Sequence, residues 1–153
     1  MMLEATCTIA VGDREEWGDG RGTTVIYRPA LRVVHFRTRG YLSDELEYFG
    51  RTRNEAVLDE LAARGGNPAL QGFYDWQEMT GYSTGARAQS TSFTLARRKQ
   101  FAAICILFKS PMVALAINVA NLLMGGFVKG TTSREEFEAR LQRALGDGPV
   151  LHP

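Results

Sequence analysis

The stretch FAAICILFKSPMVALAINVANLLMG, residues 101–125, is the most apolar part of the chain, and Lys109-Ser110-Pro111 cuts it in the middle. That cut limits the fold more than any other feature. Residues 101–108 form an eight-residue apolar run, Ser110 is a helix N-cap residue, and Pro111 suits the first helical position. A buried strand is therefore expected to pass, within very few residues, into a nearly all-apolar helix over residues 112–124. A membrane span needs about 20 continuous apolar residues. Here a lysine and a proline fall where an inserted helix is most penalised, so no membrane span is expected.

With 153 residues, 44% hydrophobic and 23% charged, the chain suits one globular domain, residues 1–146, with a loose tail over 147–153. A net charge of +1 gives no global attraction for nucleic acid, and no nucleic-acid partner is expected. Cys7 and Cys105 sit in apolar runs without CxxC spacing and are expected to be buried free thiols. Glu4 and the lack of a basic region before an apolar core argue against a secretory signal, so a cytoplasmic location is expected. His35 and His152 lack metal-ligand spacing, and neither a metal site nor a cofactor is expected.

Along the chain, residues 6–11 read as a first strand, and GDREEWGDGRG, with four glycines and six charges, reads as a solvated loop. Residues 23–28 and 31–38 are β-branched and aromatic and form a hairpin-like pair turning at Pro29-Ala30. A helix starts at Ser43 or Asp44, with Asp44 and Glu47 as a capping box, and stops at Gly65-Gly66-Asn67-Pro68. Leu46, Phe49, Val57 and Leu61 make its apolar face, and Arg53 interrupts that face. Residues 69–74 are the next strand, running into Asp75-Trp76 and the loop QEMTGYST. Ser83 or Thr84 caps a helix over 85–99 that is rich in small and polar residues and ends in Arg97-Arg98-Lys99. After residues 101–124 come Gly125-Gly126, a short strand over 127–130, and a helix from Ser133, boxed by Glu136, to Gly146. Strands alternate with helices from residue 31 onward, which predicts an α/β domain with a mixed sheet, antiparallel at its N-terminal strands, and about four helices.

This order, with FYDWQEMTGYSTGARAQ between the first helix and the hydrophobic strand, followed by the SP-initiated helix, a short strand and an amphipathic helix, resembles the STAS-like fold over about residues 24–146. That fold is shared by bacterial anti-sigma-factor antagonists and by stand-alone STAS/SEC14-like proteins. The resemblance implies a non-enzymatic regulatory module acting through a protein partner. In the antagonists a serine at the start of the second helix is phosphorylated by a partner kinase. Here the corresponding strand is expected to end at Asp75, with the hydroxyl arriving at Ser83 after an inserted loop. Ser83 is the residue best placed for such a switch, because backbone amides and the helix dipole favour a phosphate there. A serine that only caps its helix is the competing account.

In an open α/β sheet, ligands bind beyond the strand C-termini. Arg39, Tyr41, Asp75, Trp76, Glu78, Tyr82, Ser83, Lys109 and Ser110 would gather along that edge, as a ligand or partner site or as an ordinary polar rim. His35 alternates with Val34 and Phe36 and, lacking a companion nucleophile, reads as a structural histidine. Arg53 is expected to snorkel or to form an ion pair, with Asp75 one option. The cluster Arg87, Arg97, Arg98 and Lys99 reads as a solvated helix end. In the apolar helix, Asn118 and Asn121 are expected to face water, while Met112, Leu115, Leu122, Leu123 and Met124 cover the sheet or a partner. That helix carries more apolar surface than one sheet face needs. It is therefore expected to enter an interface with another chain, a second copy included, or to border a pocket for a lipid or other small apolar ligand.

Overall fold

The computed structural model describes residues 8–65 and 69–146, without the side chains of 123 and 124. Six strands lie in one sheet in chain order: β1 (Arg14–Gly18), β2 (Gly22–Ala30), β3 (Val33–Leu42), β4 (Leu70–Tyr82), β5 (Phe101–Leu107) and β6 (Val128–Thr131). The first three pair antiparallel, and β3 through β6 pair parallel. Each parallel strand adds on the far side of the last, so right-handed crossovers put every connecting helix on the same face. Accordingly α1 (Asp44–Arg64), α2 (Thr84–Ala96) and α3 (Pro111–Met124) share one core with Ile26, Phe36, Ile104 and Ile106 of the sheet. Only α4 (Arg134–Leu145), after the last strand, returns over the other face, where Phe137 and Leu141 pack on Val33, Phe73, Cys105 and Leu107. The mixed α/β sheet expected from the sequence is the one observed.

Four serines start the four described α-helices. Ser43, Ser83, Ser110 and Ser133 each accept a hydrogen bond from a first-turn amide, of Leu46, Ala86, Met112 and Glu136 respectively. The expected Asp44–Glu47 box does not form, because Ser43 is the cap and the two acids are taken elsewhere: Asp44 by Ser83, Glu47 by Arg51. At α4, Glu136 reaches Thr131 Oγ1 (2.9 Å), and that hydroxyl accepts from the Ser133 amide (3.1 Å), so the box closes through a threonine.

The α1 cap has a measurable signature. Ser43 Oγ donates to Asp19, and with the Arg21 and Gly22 amides it holds the Asp19 carboxyl down at about 2. This contact is complete above the ordinary value of 3.8 and is lost as pH falls through about 2. An NMR titration is expected to find Asp19 near 2 in the wild type and back toward 3.8 in Ser43→Ala. An unshifted wild-type carboxyl would contradict the arrangement.

Several elements differ from the sequence expectation. Residues 8–11 are not strand, and residues 6 and 7 lie outside the described residues. The first strand is instead Arg14–Gly18, inside the segment read as a loop: it is an exposed edge held by backbone pairing with β2, so its side chains need no alternation. β2 runs through Pro29-Ala30, with a register irregularity there, and the turn falls at Leu31-Arg32. β4 continues to Tyr82, so QEMTGY is strand and not loop; it pairs with the far end of β3 across two register shifts. One of these involves Gly40, whose φ of 76° and whose missing Cβ, which would lie 2.5 Å from the Arg21 carbonyl oxygen, leave room for glycine alone. α2 ends at Ala96, followed by a 3-10 turn at Arg98–Gln100. The expected stop at 66–68, the tail 147–153 and Cys7 also lie outside the described residues, whereas Cys105 is buried and its thiol is pushed up by that burial.

Candidate functional site

The layer between the sheet and α1, α2 and α3 is not completely filled. α2 faces it with small residues, among them Ala86, Ser90 and Thr94, and only Ala86 of this helix is fully buried. Opposite, α1 contributes Gly50, where a Cβ would meet the Phe36 ring at 3.3 Å. What remains is a cavity of about 130 Å³ with largely apolar walls, such as Phe36, Ile104, Ile106, Val113 and Ile117. That is close to the roughly 150 Å³ of an engineered cavity that binds benzene.

Two polar pairs interrupt these walls. Thr24 and Thr38 share a hydrogen bond of 3.0 Å between neighbouring strands. Asn54 of α1 donates from Nδ2 to Tyr74 Oη of β4 at 2.8 Å, and the Tyr74 ring stacks on Phe36 with centroids 4.8 Å apart. Burial pushes the Tyr74 phenol up to about 12, so it stays protonated. Asn54 is only 4% exposed, and its Oδ1 has no hydrogen-bond partner. A buried amide oxygen without a donor is costly and calls for an explanation. At the rim, Glu47 is buried, which raises its carboxyl, and both its oxygens meet Arg51 Nε at 3.1 Å.

The edge expected from the sequence is divided between two faces. Successive strand residues point to opposite sides, so Trp76 belongs to the helix-covered layer while Asp75 faces α4. There Asp75 meets Arg134 at 2.8 Å and Arg37 at 4.0 Å, and Arg134 also donates to Gln77, which fastens the start of α4 to β4. Arg39 pairs with Glu78 at 2.7 Å, and Tyr41 lies under the Arg21 guanidinium, 5.1 Å from its ring centroid. Arg53 pairs with Glu15 and covers the Phe49 ring rather than reaching Asp75. His35 is buried against Phe137. Arg97 is engaged by Asp59 and Gln100.

Ser83 follows β4 directly, with no inserted loop. Its hydroxyl accepts from the Ala86 amide and donates to Asp44 Oδ1 at 2.5 Å, so it joins the starts of α1 and α2. Tyr82 donates to the Met112 carbonyl at 3.1 Å and links the end of β4 to α3, whose N-cap is Ser110 beside the exposed Lys109.

α3 departs from expectation in the faces it presents. Val113 and Ile117 are its buried residues on the sheet side, while Met112, Leu115, Val119 and Leu122 are 52%, 63%, 39% and 86% exposed. Those four recur at i, i+3, i+7 and i+10, a continuous apolar stripe facing out. Of the two expected roles, Met112, Leu115 and Leu122 therefore do not cover the sheet, which leaves them open to a partner; the Leu123 and Met124 side chains lie outside the described residues. Asn118 is exposed as expected, but Asn121 is not in water. Its amide donates to the Val128 carbonyl (2.7 Å) and accepts from the Val128 amide (3.0 Å), acting as a strand neighbour for β6. Sequence reasoning missed Asn54, Arg28 and this use of Asn121.

Among the described residues no cluster of acidic, histidine and cysteine side chains is arranged to hold a metal, and no helix is long and apolar enough to cross a membrane.

No family model and no curated protein matches the sequence. Solved structures do. An uncharacterized protein of the DUF3478 family with a SpoIIAA-like fold, from Shewanella loihica PV-4, aligns over 79% of this chain and 94% of its own, with 20% identity and a TM-score of 0.59. The anti-sigma factor antagonist SpoIIAA in its unphosphorylated form aligns over 79% and 96%, with 13% identity and a TM-score of 0.56. The Bacillus cell fate determinant SpoIIAA in the phosphorylated form aligns over 76% and 97%, with 15% identity and a TM-score of 0.52. The chain has the STAS-like fold of these proteins. A shared fold leaves the activity to be argued from the site.

Proposed function

We propose that this chain is a non-enzymatic, cytoplasmic interaction module of STAS-like fold whose working surface is the outward face of α3, and that the face is occupied by a second copy of the chain. The observation that carries this is the stripe Met112, Leu115, Val119 and Leu122. No charged residue occurs between positions 111 and 124, so α3 meets no like charge when it packs antiparallel on its own copy. Antiparallel helices also set opposite dipole ends side by side. A Leu115→Glu/Leu122→Glu chain compared with the wild type tests the proposal through oligomeric state, with a different protein partner indicated if the wild type is a monomer.

Ser83 is the proposed point of control. A phosphoryl group on its oxygen would stand at the start of α2, which favours it, and against Asp44, which repels it. The repulsion would separate the starts of α1 and α2. Ser83→Asp is expected to speed hydrogen exchange of the α2 amides beyond Ser83→Ala, which loses the cap and the bond to Asp44 but adds no repulsion. Equal exchange in the two variants would remove this role.

A second reading, a carrier of a small apolar ligand, is favoured by the cavity beneath α2. Its volume suits a molecule of about benzene's size.

A further inference from the structure

The cavity's polar groups give it a chemical preference, an inference that rests on the carrier reading. The Asn54 to Tyr74 hydrogen bond leaves two valences unused: the Asn54 Oδ1 lone pairs, which no donor reaches, and the Tyr74 hydroxyl hydrogen, which that bond does not consume. One group able both to donate and to accept answers both. A hydroxyl is the smallest such group on a carbon frame, and it satisfies the amide in either rotation of its plane. The remaining walls are mostly apolar: the Thr94 hydroxyl already donates to the Ser90 carbonyl, the charged Glu47 and Arg51 at the rim engage each other, and Arg87 is exposed. A single water at Asn54 would answer the amide but would leave most of the apolar wall without a partner.

We propose that this cavity binds a small neutral apolar molecule bearing one hydroxyl, of about the size of a phenol, with the hydroxyl donating to Asn54 Oδ1 and accepting from Tyr74. A neutral molecule is favoured because Glu47 and Arg51 engage each other and the remaining rim cation, Arg87, is exposed to solvent rather than beside Asn54, and pure hydrocarbons bind less well because they leave Asn54 unpaired.

The test is titration of the isotope-labelled full chain with p-cresol and, separately, with toluene, which has the same ring and methyl group but no hydroxyl. Amide shifts centred on residues 54, 74 and 104 are expected, with p-cresol bound at least about tenfold more tightly, the contribution of one well-placed neutral hydrogen bond. In Asn54→Leu the preference should vanish, toluene binding as well as in the wild type or better. Should that variant fail to fold, Tyr74→Phe keeps the stacked ring and leaves both polar atoms of Asn54 open to the ligand, so it is expected to keep or enlarge the preference, and a loss there would overturn the role of Asn54. Equal affinity for the two ligands in the wild type would overturn the hydroxyl proposal and leave the carrier reading standing. No binding by either, or shifts confined to the exposed face of α3, would overturn both.

Discussion

Replacing Arg28 with alanine is expected to destabilise the fold by about 3–5 kcal/mol, read as a lower denaturant midpoint at unchanged slope. Arg28 is 1% exposed at the end of β2, and its guanidinium meets three separate parts of the chain. Nη1 donates to the Ile9 carbonyl at 2.9 Å, Nε and Nη2 donate to the Leu31 carbonyl at 3.2 and 2.9 Å, and Nη2 meets Glu60 of α1 at 2.5 Å. Alanine would strand the buried Ile9 carbonyl and the part-buried Leu31 carbonyl and release the segment before β1, the β2–β3 turn and α1 from one another. Lysine should recover only part of the loss, since one ammonium does not reproduce a planar fork. Hydrogen bonding from Arg28 lowers the Glu60 carboxyl below its ordinary 4.5. The pair's contribution is therefore complete above that value and fades as pH falls through the lowered one. A loss below about 1 kcal/mol would mean that Arg28 is no anchor.

The second large effect concerns association. Burying a leucine side chain is worth about 1.5–3 kcal/mol, and a two-fold interface through α3 would use Leu115 and Leu122 from both copies. Glutamate at both positions removes that burial and places carboxylates opposite each other. Association should weaken by roughly a thousandfold or more, while the fold persists because neither side chain packs in the core. Unchanged helix content and melting in the double variant would confirm that the effect lies at the surface.

How much of this was legible in the sequence depends on what each element buries. The junction at Ser110-Pro111 was readable because an apolar run, a cap and a proline coincide, and β5 and α3 fall within a residue of expectation. β1 was unreadable because an exposed edge strand carries no burial pattern, and Glu16 and Trp17 give no alternation to find. The extension of β4 was hidden for a related reason: Gln77, Glu78 and Thr80 look like a loop, and only pairing with the end of β3 makes them strand. Strand parity alone separates Asp75 from Trp76, since the strand read from the sequence already runs through both. A pocket beside α3 was expected only from surplus apolar surface around Met112, Leu115 and Met124; the cavity instead meets α3 at Val113 and Ile117, and its place beneath α2 depends on packing that no local pattern shows. Asn54 is one polar residue on a helix, and nothing local marks it as buried.

Sedimentation velocity of the wild-type chain from about ten to several hundred micromolar, beside Leu115→Glu/Leu122→Glu, tests the central claim most directly. The account predicts a concentration-dependent dimer in the wild type and a folded monomer in the double variant. A wild type that stays monomeric across the range, or a variant that dimerises equally well, would contradict it.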